Sequence, residues 1–204
     1  AALAIVFGIG LAYAAAKFAV KIDPLIEKVR DVLPGANCGA CSFAGCQGYA
    51  EAVVQKPEVK PNLCAPGKEA VAEAIASLTG KKAEKLDPKI ARVFCQGDDK
   101  FARKKFLYQG VKDCTAAVLA GGGDKSCGFG CLGYGTCSRA CPFGAITMSE
   151  HNLPIIDPEK CTACGICAEV CPKKVIEILP IAKEVLVRCH SKDKGPVVRK
   201  NCDV

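Results

Sequence analysis

An α+β fold is predicted for this 204-residue chain: an apolar helix first, a small helical region next, then short strands and turns. Three observations carry the prediction. Residues 1–16, AALAIVFGIGLAYAAA, hold no charge. The stretch Lys68–Leu78, KEAVAEAIASL, places alanine and charge on opposite faces of a helix. The segments CSRACPFGAITM from Cys137 and CAEVCPKKVIEI from Cys167 repeat one unit, CxxxCP followed by a short apolar strand. A repeat this short reads as a duplicated half-domain, not a solenoid.

The apolar start is read first. After Lys17 the run resumes as Phe18-Ala19-Val20, and twenty helical residues reach about 30 Å, the thickness of a bilayer's hydrocarbon core. Lys17 can snorkel to the headgroups. A buried core helix and a signal peptide compete with this reading, the latter because Ala12-Tyr13-Ala14 resembles a cleavage site. Lys17, Lys21, Lys28 and Arg30 follow the run instead of preceding it, which favours a single-pass anchor at 1–22 with the body on the cytoplasmic side of the cell membrane. The chain opens at Ala1 without a methionine, so residues before it are expected in the natural protein.

Ile22–Arg30 reads as an amphipathic linker helix leading into the turn Pro34-Gly35-Ala36-Asn37, and Gly48–Val54 and Lys68–Leu78 as helices, the second ended by Thr79-Gly80. A basic connector, KKAEKLDPK, precedes a strand over Ile90–Phe94 that ends at Cys95. Gly121-Gly122-Gly123 makes a turn before Cys127, and from there to Ile178 the pattern is short strands and turns, helical only around the CxxxC segments. RVFCQGDDK around Cys95 is echoed by LVRCHSKDKG around Cys189, and pairing of these two strands would bring both cysteines together. The resulting division is 1–22 anchor, 23–80 helical domain, 81–124 connector, 125–180 strand-and-turn domain and 181–204 C-terminal segment.

Composition narrows the chemistry. Half the residues are apolar, so the chain can bury a core and is not disordered. Two histidines and no serine-elbow or zinc-protease motif give hydrolysis little support. A net charge of +7, 6% aromatics and no groove-reading module argue against nucleic acid as a partner. Sixteen cysteines remain, and on the cytoplasmic side of a membrane they favour metal over disulfides.

Cys161, Cys164, Cys167 and Cys171 give C-x2-C-x2-C-x3-C-P, the bacterial ferredoxin run for a [4Fe–4S] cluster. Three closely spaced thiolates wrap one cube, and the fourth reaches only its neighbour. Zinc ribbons need paired CxxC knuckles instead. Cys127, Cys131, Cys137 and Cys141 form the other half at spacings x3, x5, x3, the longer loops filled by Gly128, Gly130, Gly133 and Gly135. This logic assigns Cys127, Cys131, Cys137 and Cys171 to one cube, and Cys161, Cys164, Cys167 and Cys141 to a second. Cys38, Cys41, Cys46 and Cys64, at C-x2-C-x4-C-x17-C with no histidine, fit a third. Cys95, Cys114, Cys189 and Cys202 are left over, and a fourth cube, buried structural thiols and a zinc site are the three readings of that set.

The apolar start, then NCGACSFAGCQGYAEAVV with Cys64 in NLCAPGKEAV, then the double ferredoxin motif, together resemble the B subunit of the Rnf complex. The resemblance covers nearly the whole chain, and the first cysteine set is also similar to the small iron–sulfur domain of corrinoid iron–sulfur proteins. GFGCLGYGTCSRACPFGAI is similar to the longer, anaerobe-type subunits, which continue past a position like Cys202, so a truncated subunit is expected. The resemblance implies a membrane-anchored [4Fe–4S] electron-transfer subunit, with reduced ferredoxin as donor and other complex subunits and membrane lipid as partners. The complex it implies is a ferredoxin:NAD+ oxidoreductase that translocates Na+ or H+. No glycine-rich dinucleotide fingerprint followed by an acidic residue is present, so NAD+ is expected to be reduced elsewhere. A ferredoxin-like adaptor of another membrane redox complex and a zinc-stabilised scaffold are the alternatives. Lys81, Lys82, Lys85, Lys89 and Arg92, with Arg103, Lys104 and Lys105, are a candidate docking face for an acidic ferredoxin, or else a solvated face or a contact with anionic headgroups.

Overall fold

The computed structural model describes residues 2–18, 23–85 and 87–204. Helix α1 covers Ala2–Lys17, all apolar until its last residue, and leaves Phe7, Ile9, Leu11 and Tyr13 exposed. Its sixteen residues rise about 24 Å, short of the roughly 30 Å of a hydrocarbon core. Among the described residues, no helix is long and apolar enough to cross a membrane. The expected single-pass anchor, with the body on the cytoplasmic side, is thereby corrected. Part of that expectation rested on residues 1 and 19–22, which lie outside the described residues.

Helix α2 (Pro24–Val32) begins where Asp23 Oδ1 accepts the Leu25 N–H at 2.8 Å, with proline in its first turn. It packs on α3 (Gly45–Gln55) and α4 (Lys68–Thr79), which ends at Gly80 in the left-handed conformation. Ile26 and Val29 of α2, Tyr49 and Val53 of α3, Ile75 of α4 and Cys64 form one core. The buried Tyr49 hydroxyl is satisfied: it donates to the Lys60 carbonyl at 2.9 Å and accepts the Leu63 N–H at 3.3 Å. Lys81 Nζ donates to the carbonyls of Val53, Lys56 and Val59 at 2.7, 2.7 and 2.8 Å, closing the C-terminal end of α3.

A second core lies further along the chain. Strand β1 (Lys89–Val93) is followed by α5 (Cys114–Leu119) and α6 (Thr136–Arg139). After these come β2 (Ile146–Met148), β3 (Pro154–Ile156), α7 (Ile166–Glu169), β4 (Ile176–Pro180) and α8 (Gly195–Asn201). The duplicated unit is visible as α6 with β2 and α7 with β4. Strand β2 pairs antiparallel with β3, Ile146 opposite Ile156. Strand β1 pairs antiparallel with β4, Ala91 opposite Ile178, and the Phe94 N–H continues the ladder to the Val175 carbonyl at 2.7 Å.

That pairing corrects the expected partnership of β1 with the segment before Cys189. Val185 and Val187 are 91% and 80% exposed, and the segment is not a strand. Strand β4 wins because its Ile176 and the preceding Val175 are buried in the same core as Ala91 and Val93. Beyond the Cys189 segment comes helix α8. It returns to the chain beyond β1 through an isolated bridge of Ala102 with Cys202, the Arg103 N–H to the Asn201 carbonyl at 3.0 Å, and an Arg103–Asp203 ion pair at 3.1 Å.

Several cations of the expected docking face are tied internally. Besides Lys81 and Arg103, Lys104 Nζ lies 3.4 Å from Asp99 and 3.7 Å from Asp124, and Lys105 Nζ donates to the Gly121 carbonyl at 2.7 Å.

Candidate metal centres

Cys38, Cys41, Cys46 and Cys64 line one cavity of about 320 Å³, walled by Leu33, Pro34 and Tyr49. The loop closes because Asn37, at φ 47°, turns its Oδ1 to accept the Cys46 N–H at 2.8 Å, which places Cys46 in the first turn of α3. Burial, opposed in part by the Gly67 N–H and aided by charge on Cys46, Cys38 and Cys41, pushes the Cys64 thiol up to about 11.

Cys141, Cys161, Cys164 and Cys167 line a second cavity of about 320 Å³ with Phe143, Ile166 and Ile178. Cys141 comes from the first repeat and the other three from the second. Burial and the neighbouring thiols push Cys167 up to about 12. Burial also raises Cys164, and charge on Cys38 of the helical region adds to the shift.

A third cavity of about 370 Å³ is lined by Cys131, Cys137 and Cys171 together with Cys114. Asp113 caps α5 by accepting the Thr115 and Ala116 N–H groups, while its other carboxylate oxygen accepts the Thr136 hydroxyl at 2.7 Å. Thr136 in turn accepts the Cys114 N–H at 2.8 Å, and Arg139 reaches Asp113 at 3.3 Å. The Thr136 hydrogen bond, then those from α5, hold the Asp113 carboxyl below its usual range. This clamp docks α5 on α6, which sets Cys114 beside Cys137. Burial, then charge on Cys114 and Cys171, pushes Cys137 up to about 11.

Cys95, Cys189 and Cys202 line a fourth cavity of about 520 Å³, and Cys127 lines it with them, beside Phe94 and Phe129. Relative to the sequence assignment, Cys114 and Cys127 have changed places. The stretched x3 spacing between Cys127 and Cys131 was the signal for one half of the exchange. The other half had a local signal too, because Asp113-Cys114-Thr115 is a capped helix start.

The four sets suit a polynuclear cluster better than a single ion. Among the described residues, no group of three or more His, Cys, Asp or Glu stands close enough to hold one metal ion. Four thiolates on zinc would need sulfurs about 3.8 Å apart. The thiols instead ring cavities, four to a set, and four thiolates would bind the four irons of a cube. Burial raises the pKa values of Cys64, Cys131, Cys137 and Cys167, so binding of metal at these four would displace protons.

Thiols gathered in fours around apolar-walled cavities, with a cysteine exchanged between two repeats, define the class: a multicentre iron–sulfur protein of bacterial ferredoxin type. Two family models match, a putative Fe–S cluster over residues 33–66 and a 4Fe–4S dicluster domain over residues 126–175. The chain is 52% identical over 202 residues to the B subunit of the proton-translocating ferredoxin:NAD(+) oxidoreductase complex of Clostridium ljungdahlii, covering 99% of this chain and 71% of that one. It is 46% identical to the Na(+)-translocating counterpart of Acetobacterium woodii, over 97% of this chain and 59% of that protein. The B subunit of the ion-translocating oxidoreductase complex of Methanosarcina acetivorans is 38% identical, over 100% and 77%. The chain belongs to this family, the B subunits of ion-translocating ferredoxin:NAD(+) oxidoreductase (Rnf) complexes.

Proposed function

We propose that the chain is an electron relay that accepts electrons from reduced ferredoxin and delivers them to the other subunits of a membrane-associated Rnf-type complex, where NAD+ is reduced and Na+ or H+ is moved. Bound [4Fe–4S] cubes supply one-electron chemistry at potentials set by charge, hydrogen bonding and exposure. The residues that would hold them are Cys38, Cys41, Cys46 and Cys64, then Cys141, Cys161, Cys164 and Cys167, with Cys131, Cys137 and Cys171 serving a further cube. Leu33, Tyr49, Phe143, Ile166, Val175 and Ile176 exclude water from these sites. Residues 1–22, 23–80, 81–124, 125–180 and 181–204 serve as working divisions.

The observation that carries the reading is that two sets of thiols, Cys131, Cys137 and Cys171 and then Cys141, Cys161 and Cys167, pack in one shared core. A relay needs its centres near one another, and a storage or scaffold role does not. The relatives' names supply the donor and acceptor, and two of them are named for different ions. In the test, the anaerobically purified full chain is mixed with reduced ferredoxin and its visible absorbance is followed. Rapid bleaching by ferredoxin, and none by NADH alone, is the expected result. Iron–sulfur absorbance that ferredoxin leaves unchanged would reject the proposed donor.

A further inference from the structure

We propose that a fourth [4Fe–4S] site is formed by Cys95, Cys127, Cys189 and Cys202, and that Cys114 occupies the place in the ferredoxin cube of Cys131, Cys137 and Cys171 that motif spacing gives to Cys127. The inference rests on the reading of this chain as an iron–sulfur protein. It adds a site and changes a ligand at another.

The chain switches cavities within one peptide. Cys127, Phe129 and Gly130 line the fourth cavity, whereas Cys131, Leu132, Gly133 and Gly135 line the third. In the ordinary ferredoxin spacing, two intervening residues keep consecutive cysteines on one cube. A third intervening residue here carries the Cys127 thiol to the far side of the loop. The turn that follows is fixed, because Gly133 has φ +82° and a Cβ there would stand 2.5 Å from the Asn152 carbonyl oxygen. The place vacated in the third cavity is filled by Cys114, held by the Asp113–Thr136 clamp.

The remaining thiols converge on one glycine. A Cβ on Gly97 would stand 2.9 Å from Cys202 Sγ and 3.8 Å from Cys95 Sγ, so both sulfurs crowd its α-carbon. Lys125, whose side chain is fully buried, donates from Nζ to the Gly97 carbonyl at 2.9 Å and lies 3.6 Å from Asp99, which pins this turn. Cys95 Sγ accepts the Cys131 N–H at 3.3 Å, a hydrogen bond that would link a ligand of one cube to the backbone of a ligand of the next. Helix α8 is held against Ala102 and Arg103, and so delivers Cys202 from the far end of the chain.

Paired substitutions in the full chain test the assignment, read by iron and acid-labile sulfide per chain and by low-temperature EPR of the reduced protein. The unaltered chain should hold about sixteen iron atoms, and two substitutions within one cube should remove about four. Cys95→Ser/Cys127→Ser and Cys114→Ser/Cys137→Ser should each retain about twelve, while Cys127→Ser/Cys137→Ser should fall to about eight. The unchanged EPR signals of the remaining cubes report that each variant is folded. Single Cys→Asp variants, which keep a ligand, give a second reading: Cys127→Asp should perturb the signal perturbed by Cys202→Asp, not that of Cys137→Asp. The reverse pattern, with Cys127 and Cys137 acting on one signal, overturns the exchange. An unaltered chain that saturates near twelve iron atoms overturns the fourth site while leaving the proposed function standing. A chain that takes up neither iron nor sulfide overturns both.

Discussion

The helical region and the ferredoxin region bring their cysteines together by opposite means. In the first, four thiols come from one short segment, Cys38 to Cys64, and of these Cys64 joins a core otherwise built of Ile26, Val29, Tyr49, Val53 and Ile75. In the second, the core itself contains Cys95, Cys131, Cys137 and Cys167, and the cysteines lining one cavity are drawn from as far apart as Cys95 and Cys202. A helix pair can bury aliphatic side chains before any metal arrives. Strands three to five residues long bury fewer such side chains, among them Val93, Ile146 and Ile176, and metal joining the thiols is expected to contribute more of that region's stability.

The largest expected effect breaks that comparison directly. Removal of iron by chelation should collapse amide-exchange protection across β1, β2, β3 and β4, while α2, α3 and α4 keep most of theirs. Residue-resolved hydrogen exchange on metal-loaded and chelated protein checks it, and equal loss in both regions would show that the first core also depends on metal. A smaller effect should run the other way. Ile75→Ala, at a fully buried position, should cost about 2–5 kcal/mol in denaturant unfolding of the helical region. It should leave the EPR signals of the cubes at Cys141 and Cys137 unaltered. The smallest sharpens the account of α3. Lys81→Met removes a charged donor from three carbonyls and should cost about 1–3 kcal/mol in the same unfolding measurement, with no change in ionic-strength dependence of reduction by ferredoxin. A strong change in that dependence would return Lys81 to the docking face.

Legibility followed the same division. The helices α2, α3 and α4 and the strand β1 were readable from apolar period and caps, within a residue or three at each end. The crossing of Cys141 into the cavity of Cys161, Cys164 and Cys167 was readable because the x2-x2-x3 spacing is a covalent constraint on which sulfurs can share a cube. The apolar start was legible as a helix, but its described length falls short of a span. The basic clusters were legible only as a count, which does not say which cations, such as Lys81 and Lys104, are already bound to carbonyls and carboxylates.

By itself, then, the sequence determined the chemistry: sixteen cysteines, two histidines and one unmistakable ferredoxin run leave iron–sulfur electron transfer as the use for this chain. It also grouped the cysteines that line two of the cavities, Cys38, Cys41, Cys46 and Cys64 in one and Cys141, Cys161, Cys164 and Cys167 in the other. The sequence already set Cys95, Cys189 and Cys202 in one group, but only the tertiary structure put Cys127 with them and Cys114 with Cys131, Cys137 and Cys171, because that exchange depends on long-range packing. The pairing of β1 with β4, the docking of α5 through Asp113 and Thr136, and the return of α8 to Ala102 are each set by burial and hydrogen bonding between segments distant in sequence. Spacing constrains thiols a few residues apart and is silent about thiols a hundred residues apart, whose meeting is a property of the packed core.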